Sequence, residues 1–278
     1  VAMTVGIVFA QRRLKSEEIF CISPNTINVS GVINVICFDK TGTLTEDGLD
    51  LWGVVPGGGT YFEPPEPDPS KLSRGALLDA MATCHSLTRI EGQLAGDPLD
   101  LKMFQAINWE FTEEVTEDYN KFGMAVPTIV RPKKPDLIPN NTSLSFDDMD
   151  RNLPYEIGIL RQFPFSSSLQ RMSVIGRVLS GEHFNLYLKG SPEIVENLCR
   201  PDTMPLDFHK VLLTYTREGY RVLALAWRPL RLSYVKMQRL QREQAERNLQ
   251  FLGLLVMENR LKEETTPVIN MLRNANIR

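Results

Sequence analysis

Asp39 is followed by Lys40, Thr41, Gly42, Thr43, Leu44 and Thr45, and is preceded by the apolar run Val35-Ile36-Cys37-Phe38. The order delivers a carboxylate at the end of an apolar segment and sets a cation, hydroxyls and a glycine directly after it. Open α/β sheets bind ligands at the carboxyl ends of their strands, and clustered backbone N–H groups in such a turn suit phosphate oxygens. A carboxylate held against a phosphoryl group can act as a nucleophile and become an aspartyl phosphate. Gly42 allows a tight turn that brings backbone amides close, and Lys40 adds positive charge. Each residue type is common where a strand exits into a turn. The complete string Asp-Lys-Thr-Gly-Thr-Leu-Thr is what points to phosphoryl chemistry at Asp39.

The chain around this motif has 278 residues, enough for about two domains with a sizeable core in each. Apolar residues make up 42% and charged residues 23%, a soluble, globular balance. With 31 basic against 34 acidic side chains, a net charge of −3 and no long basic block, nucleic acid is not an expected partner. Cys21, Cys37, Cys84 and Cys199 are scattered, and with three histidines they form no metal-ligand spacing. Reduced, buried thiols in a cytosolic compartment are the expectation. Val1–Ala10 is apolar and is followed by Arg12, Arg13 and Lys15. Ten residues are too few to cross a bilayer, which takes about twenty.

Apolar periodicity predicts a buried strand over Gly31–Phe38, a surface loop over the proline-rich 56–70, and a helix over Leu72–Ser86. A second helix opens at Asp97-Pro98 and runs to about Trp109. Residues 131–154, with four prolines and acidic Asp147, Asp148 and Asp150, read as a mobile insertion. Strands are expected over Ile157–Phe165, Gln170–Val178, Phe184–Lys189, Arg221–Trp227 and Phe251–Met257. Helices are expected over Pro192–Cys199, Phe208–Glu218, Ser233–Asn248 (charged and amphipathic) and Thr266–Asn276. Strand–helix alternation near the chain ends suggests that 31–38 and 251–257 share a parallel sheet.

The Asp39 string resembles the phosphorylation motif of the P-type ATPases, membrane pumps that pass through a phosphoaspartate. Gly96-Asp97-Pro98-Leu99-Asp100, Phe163-Pro164-Phe165-Ser166, Lys189-Gly190-Ser191-Pro192-Glu193 and Arg221-Val222-Leu223-Ala224 resemble that family's nucleotide-binding domain, in the expected order. Cys37-Phe38 before the nucleophile, Glu46-Asp47-Gly48-Leu49-Asp50 after it and Phe163-Pro164-Phe165-Ser166-Ser167 look like the fifth class, B branch, of polyamine-transporting and lysosomal cation-transporting ATPases. The resemblance implies an α/β fold: part of a haloacid-dehalogenase-like (Rossmann-type) phosphorylation domain with an inserted α/β nucleotide-binding domain containing an antiparallel sheet. Residues 1–20 would be the end of a transmembrane helix and a stalk, and 21–52 the first part of the phosphorylation domain. Residues 53–257 would be the insertion, and 258–278 the hinge and a truncated second part.

The resemblance also assigns roles. Asp39 is the nucleophile toward the γ-phosphate of ATP; Lys40, Thr41, Gly42 and Thr43 surround the phosphate; Mg²⁺ lies on Asp39 and the Thr41 carbonyl. Phe165 stacks on adenine, Lys189 and Gly190 close the pocket, Arg221 meets phosphate, Asp97 and Asp100 lie near adenine and ribose, and Met172 lines the site. Asn259 and Lys262 stand where the family commonly has Asp and Arg of an Asp-Pro-Pro-Arg hinge, and Lys lacks the planar fork of Arg. Ser167 and Gln170 replace basic residues found in some pumps, which shifts phosphate binding onto Arg221 and Lys189. Related phosphatases carry an acid two places after the nucleophile that protonates the leaving group and activates water. Thr41 cannot do this work, so a lasting phosphoenzyme is expected. The family's later phosphate and Mg²⁺ landmarks would follow Arg278, so binding without efficient turnover is expected of this stretch alone. Implied partners are ATP, a membrane and a transported polyamine or other cation, on the cytosolic face of a late endosome or lysosome. The rivals are a soluble phosphohydrolase and a non-catalytic ATP-binding module.

Overall fold

The computed structural model describes residues 2–46, 48–113, 126–133, 155–179 and 181–278. The chain divides into two compact units: Val1–Asp47 with Arg260–Arg278, and Gly48–Asn259.

The second unit is built on an antiparallel sheet of eight strands. Its members are β1 (Asp50–Pro56), β4 (Trp109–Thr112), β5 (Thr128–Pro132), β6 (Ile157–Ser166), β7 (Arg171–Val178), β8 (Phe184–Gly190), β9 (Arg221–Leu230) and β10 (Gln250–Glu258), in the order β1-β10-β9-β8-β7-β6-β5-β4. A separate hairpin pairs β2 (Thr88–Ile90) with β3 (Gln93–Ala95). Both faces of the sheet are covered. Helices α3 (Ala76–Thr83) and α4 (Pro98–Ala106) pack on one face, burying Leu78, Met81, Met103 and Phe104 against Val174, Tyr187, Leu225 and Leu255. Helices α5 (Pro192–Leu198) and α6 (Phe208–Arg217), with the short α7 (Tyr234–Gln238) and α8 (Arg242–Ala245), cover the other. There Val195, Phe208, Leu212, Met237 and Ala245 meet Leu186, Leu188, Val222, Ala224 and Val256. Successive residues of a strand face opposite sides, so β9 and β10 must be apolar at nearly every position.

That double burial explains the main departure from the sequence reading. Near-continuous apolar runs are typical of parallel strands, and that pattern underlies the expectation that 251–257 shares a parallel sheet with 31–38. In the structure β10 is antiparallel to β1 on one side and β9 on the other, leaving no edge for a further strand. Residues 31–38 form no strand and are exposed, with Val32 at 78%. Val32 and Ile33 N–H donate back to the Val29 and Ser30 carbonyls, and Arg278 donates to the Asn34 carbonyl and accepts from Ile36 N–H, both at 2.8 Å. Cys37 on this segment is exposed and Cys21 half-buried, so of the four thiols expected to be buried only Cys84 and Cys199 are. The single helix expected over 233–248 is two short ones, α7 and α8. Arg161 explains the break: its guanidinium donates to the carbonyls of Met237, Gln238 and Leu240 at 2.7–3.0 Å. Those carbonyls would otherwise accept helical bonds. The expected helix end at Trp109 is instead the start of β4. The expected insertion lies, from residue 134 to 154, outside the described residues.

The first unit contains α1 (Ala2–Ser16), α2 (Asn25–Ser30) and α9 (Thr265–Asn274). Among the described residues no helix is long and apolar enough to cross a membrane.

Two buried titratable groups of the second unit act oppositely with pH. Asp79 accepts from the hydroxyls of Tyr155 (2.8 and 2.9 Å) and Tyr187 (3.3 Å), yet desolvation pushes its carboxyl up from 3.8 to about 6. His85 is held neutral: Leu87 N–H donates to Nδ1, so Nε2 carries the proton toward the Ala82 carbonyl, and burial depresses its pKa from 6.5 to about 4. Asp79 therefore contributes stability that is full below pH 3.8 and lost as pH rises through about 6; His85 contributes stability that is lost as pH falls from 6.5 toward 4. Each amounts to on the order of 3 kcal/mol, and together they largely cancel. Asp79→Asn is expected to steepen the rise of the thermal midpoint with pH between 4 and 6. His85→Gln is expected to reverse that slope, a comparison that thermal unfolding at several pH values decides.

Candidate functional site

A cleft of about 160 Å³ opens at one end of the sheet, on the α3–α4 face. It is lined by Asp97, Asp100, Phe165, Met172, Lys189, Gly190 and Arg221, together with Ser86, Leu99, Gln170 and Leu223. Four sequence segments that are distant along the chain meet here because β6, β7, β8 and β9 end side by side with the start of α4. The volume is that of a subsite for a ring system, below the roughly 300–1,000 Å³ of pockets that enclose a whole drug-sized ligand.

Phe165 owes its position to a bulge. Phe163 pairs with Ser173 and Ser166 with Arg171, so β6 spends one more residue than β7 over this interval. Bulges re-aim side chains. Phe163 is 7% exposed and packs in the core of one face, whereas Phe165, two residues on, is 61% exposed at the cleft. Met172, on β7, is buried opposite Lys189 in the ladder and forms the apolar floor. Gly190 lies so close to Arg171 that a Cβ would stand 2.7 Å from the Arg171 Cβ and 2.8 Å from the Gln170 carbonyl. A side chain at 190 would push the β7 end away.

Lys189 Nζ is ion-paired with Asp100 Oδ1, and both side chains are almost wholly buried. Asp100 Oδ2 also accepts from Ser86 N–H at 3.0 Å and its hydroxyl at 3.3 Å. Two of the candidates thus neutralise one another. Asp97 is exposed and caps α4, accepting from Leu99 N–H at 2.9 Å. Arg221 is exposed at the rim and, among the described residues, has no ion-pair partner. Burial pushes the nearby Cys84 thiol up to about 12, which leaves it unreactive. The arrangement offers an aromatic face, an apolar floor, a buried polar pair and a rim cation: the parts needed to hold a flat heterocycle joined to an anion. Sequence reasoning did not single out Ser86, Leu99 or Leu223. Their types carry no signal without the fold.

In the other unit, Asp39 is extended (φ −67°, ψ 141°) and leads into a wide turn, Lys40–Leu44, closed by Thr45 N–H donating to the Lys40 carbonyl at 3.1 Å. Gly42 sits at φ 76°, a conformation that favours glycine. The carboxylate, Lys40, Thr41 and Thr43 are exposed. The returning segment anchors the turn: Lys262 Nζ donates to the Gly42 carbonyl at 2.9 Å, Lys262 N–H to the Leu44 carbonyl at 3.1 Å, and Thr265 Oγ1 to the same carbonyl at 2.6 Å. Lys262 is therefore placed at the turn after Asp39 and is not among the residues lining the cleft. Asn259 does not line the cleft either; its side-chain oxygen is buried without a hydrogen-bond partner. Among the described residues no three His, Cys, Asp or Glu side chains group to hold a metal. The exposed Asp39 carboxylate and the backbone carbonyls of the turn after it are hard-oxygen donors of the type that suits Mg²⁺, which commonly takes one or two carboxylates and completes its shell with waters and substrate phosphate.

Residues 143–264 match the family model described as P-type ATPase, cytoplasmic domain N. Over its whole length the chain is 53% identical to the polyamine-transporting ATPase 13A3 of Mus musculus, 48% to the probable cation-transporting ATPase 13A5 of the same species, and 47% to the polyamine-transporting ATPase 13A2 of Homo sapiens. It spans 22–23% of the length of these curated relatives.

Proposed function

From the match of residues 143–264 to the P-type ATPase cytoplasmic domain N and the 53% identity of the chain to a polyamine-transporting ATPase, we propose that this chain is a stretch of a P-type ATPase and supplies the nucleotide-binding site and the phosphorylated aspartate of an ATP-driven transporter. The observation that carries the reading is the meeting of Phe165, Met172, Lys189, Gly190, Arg221, Asp97 and Asp100 in one cleft. Adenine stacks on the exposed face of Phe165 over Met172, the Lys189–Asp100 pair and Ser86 present polar groups to the base and ribose, and Arg221 meets the phosphates. In the companion unit Asp39 attacks the γ-phosphorus: the Asp39 oxygen–phosphorus bond forms, the bond to the β-phosphate oxygen breaks, and ADP leaves. Lys40 and the amides around Gly42 and Thr43 face the incoming charge, and Asn259 with Lys262 marks the passage between the units' sequences. Asp39 and the Thr41 carbonyl would hold Mg²⁺, which when bound would supply charge neutralisation at the phosphate. Thr41 offers no carboxyl to activate water, which favours a persistent phosphoaspartate over a phosphatase cycle. The transported substrate is a polyamine or another cation, by analogy with the relatives' names, and the transporter works in a membrane whose cytosolic side carries this chain, with the late endosome or lysosome as its site. Residues 1–20, 21–52, 53–257 and 258–278 divide the labour as stalk, first phosphorylation segment, nucleotide-binding insertion and hinge.

The test is direct binding of ATP to this chain by calorimetry. Phe165→Ala is expected to weaken ATP by roughly 5- to 150-fold, the equivalent of about 1–3 kcal/mol of base stacking, while leaving the thermal midpoint nearly unchanged because the ring is exposed. Undiminished binding in Phe165→Ala, or rapid hydrolysis of small phosphate esters with no preference for ATP, would sink the proposal.

A further inference from the structure

Among the described residues Glu246 is the most deeply buried carboxylate of the second unit, and the nucleotide reading so far makes no use of it. Its side chain is fully enclosed. Oε2 accepts from Arg171 Nε at 2.6 Å, and Oε1 accepts from Ser173 Oγ at 2.6 Å and Arg242 Nε at 2.9 Å. A lone buried carboxylate is costly unless charge-paired and hydrogen-bonded, and here every partner comes from β7 or α8. Further donors of the two guanidiniums it orients converge on one place. Arg242 Nη1 donates to the Pro164 carbonyl at 3.0 Å and Nη2 to the Arg171 carbonyl at 2.8 Å. Arg171 Nη1 reaches the Leu169 carbonyl at 3.4 Å. Pro164, Leu169 and Arg171 bracket the bulge and turn that present Phe165. Within that turn Leu169 and Gln170 N–H donate to the Ser166 carbonyl at 3.1 and 2.7 Å, and Gln170 carries φ 49°.

We infer that Arg242 and Glu246 are positioning residues for the nucleobase: Glu246 fixes the plane of Arg242, and Arg242 staples the two strands on either side of Phe165 so that its ring stands ready for stacking. The inference rests on the nucleotide reading and adds to it a device outside the cleft. Neither residue lines the cleft; both act through Phe165. Arg242 meets three acceptors of different segments through three separate nitrogens, Nε, Nη1 and Nη2; the three donors of Lys radiate from one nitrogen and lack that planar spread.

Arg242→Lys keeps the positive charge beside Glu246 while dropping the fork. It is expected to weaken ATP about fivefold in calorimetry, to leave binding of inorganic tripolyphosphate unchanged, and to have no further effect once Phe165 is already Ala. A fivefold loss that persists in the Phe165→Ala background, or an equal loss for tripolyphosphate, would show a general structural role and overturn the inference. Should Arg242→Lys fail to fold, the unsubstituted chain decides: the Arg242 Nε–H resonance is expected to exchange slowly and to shift with ATP but not with tripolyphosphate, and an unshifted resonance overturns the coupling. If the unsubstituted chain binds no ATP, the nucleotide reading itself falls. Amide exchange at Phe165–Gln170, faster in Arg242→Lys or unchanged, then still decides whether Arg242 holds this turn.

Discussion

Replacing Asp39 by Asn is expected to reduce acid-stable phosphoryl incorporation from γ-labelled ATP to background in a transporter that carries this chain, with ATP binding retained. The amide is nearly isosteric with the carboxylate but has no anionic oxygen to attack phosphorus, so the covalent intermediate cannot form. Asp39 is exposed and, unlike a buried acid, holds no visible part of the fold together. The substitution therefore tests chemistry in isolation from stability. Hydroxylamine should release the label from the unsubstituted protein, as it cleaves acyl phosphates. Label that survives Asp39→Asn would place the phosphorylated residue elsewhere and remove the central step of the proposal.

Removing either member of the Lys189–Asp100 pair is expected to destabilise the second unit by about 3–5 kcal/mol, because the other charge stays buried without its counterion. That is a large part of the roughly 5–15 kcal/mol that holds a typical domain folded. Asp100 also accepts from both Ser86 donors, so its loss releases the segment after α3 as well. Asp100→Leu combined with Lys189→Met should cost less than either single change, since no unpaired charge is left behind. Denaturant midpoints of the three variants check this. An Asp100→Leu chain as stable as the unsubstituted one would mean that the pair carries no structural weight. ATP affinity should fall in all three, and that shared loss separates the pair's role in the site from its role in the fold.

How much of this could be seen beforehand varies from element to element. β6, β7, β8 and β9 were legible because their apolar runs are bounded by Ser, Gly and Pro. Strand direction was not, since helices on both faces give antiparallel strands the composition of parallel ones. β1 escaped because its sequence, Asp50–Pro56, runs straight into the proline-rich segment. That segment folds back through bridges from Val54 to Glu66 and from Gly57 to Phe62. β5 was hidden because Pro127 precedes it and Pro132 is its last residue, and prolines argue for a loop unless the strand tolerates them at its ends. The break between α7 and α8 depends on Arg161, which is distant in sequence.

By itself the sequence pointed to the chemistry proposed here. A nucleophile needs a particular atom, and Asp39-Lys40-Thr41-Gly42-Thr43 displays it, with Thr41 rather than an acid two places on. Local strings likewise marked Phe165, Lys189-Gly190 and Arg221. Only the tertiary structure decided what these side chains do before any ligand arrives. Asp97 caps a helix, Lys189 is consumed by Asp100, Lys262 holds the Gly42 carbonyl, and Arg242 with Glu246 fixes the turn of Phe165. The reason is physical: residue types report which bonds a group can make, but which of them it makes depends on partners that folding brings from elsewhere in the chain.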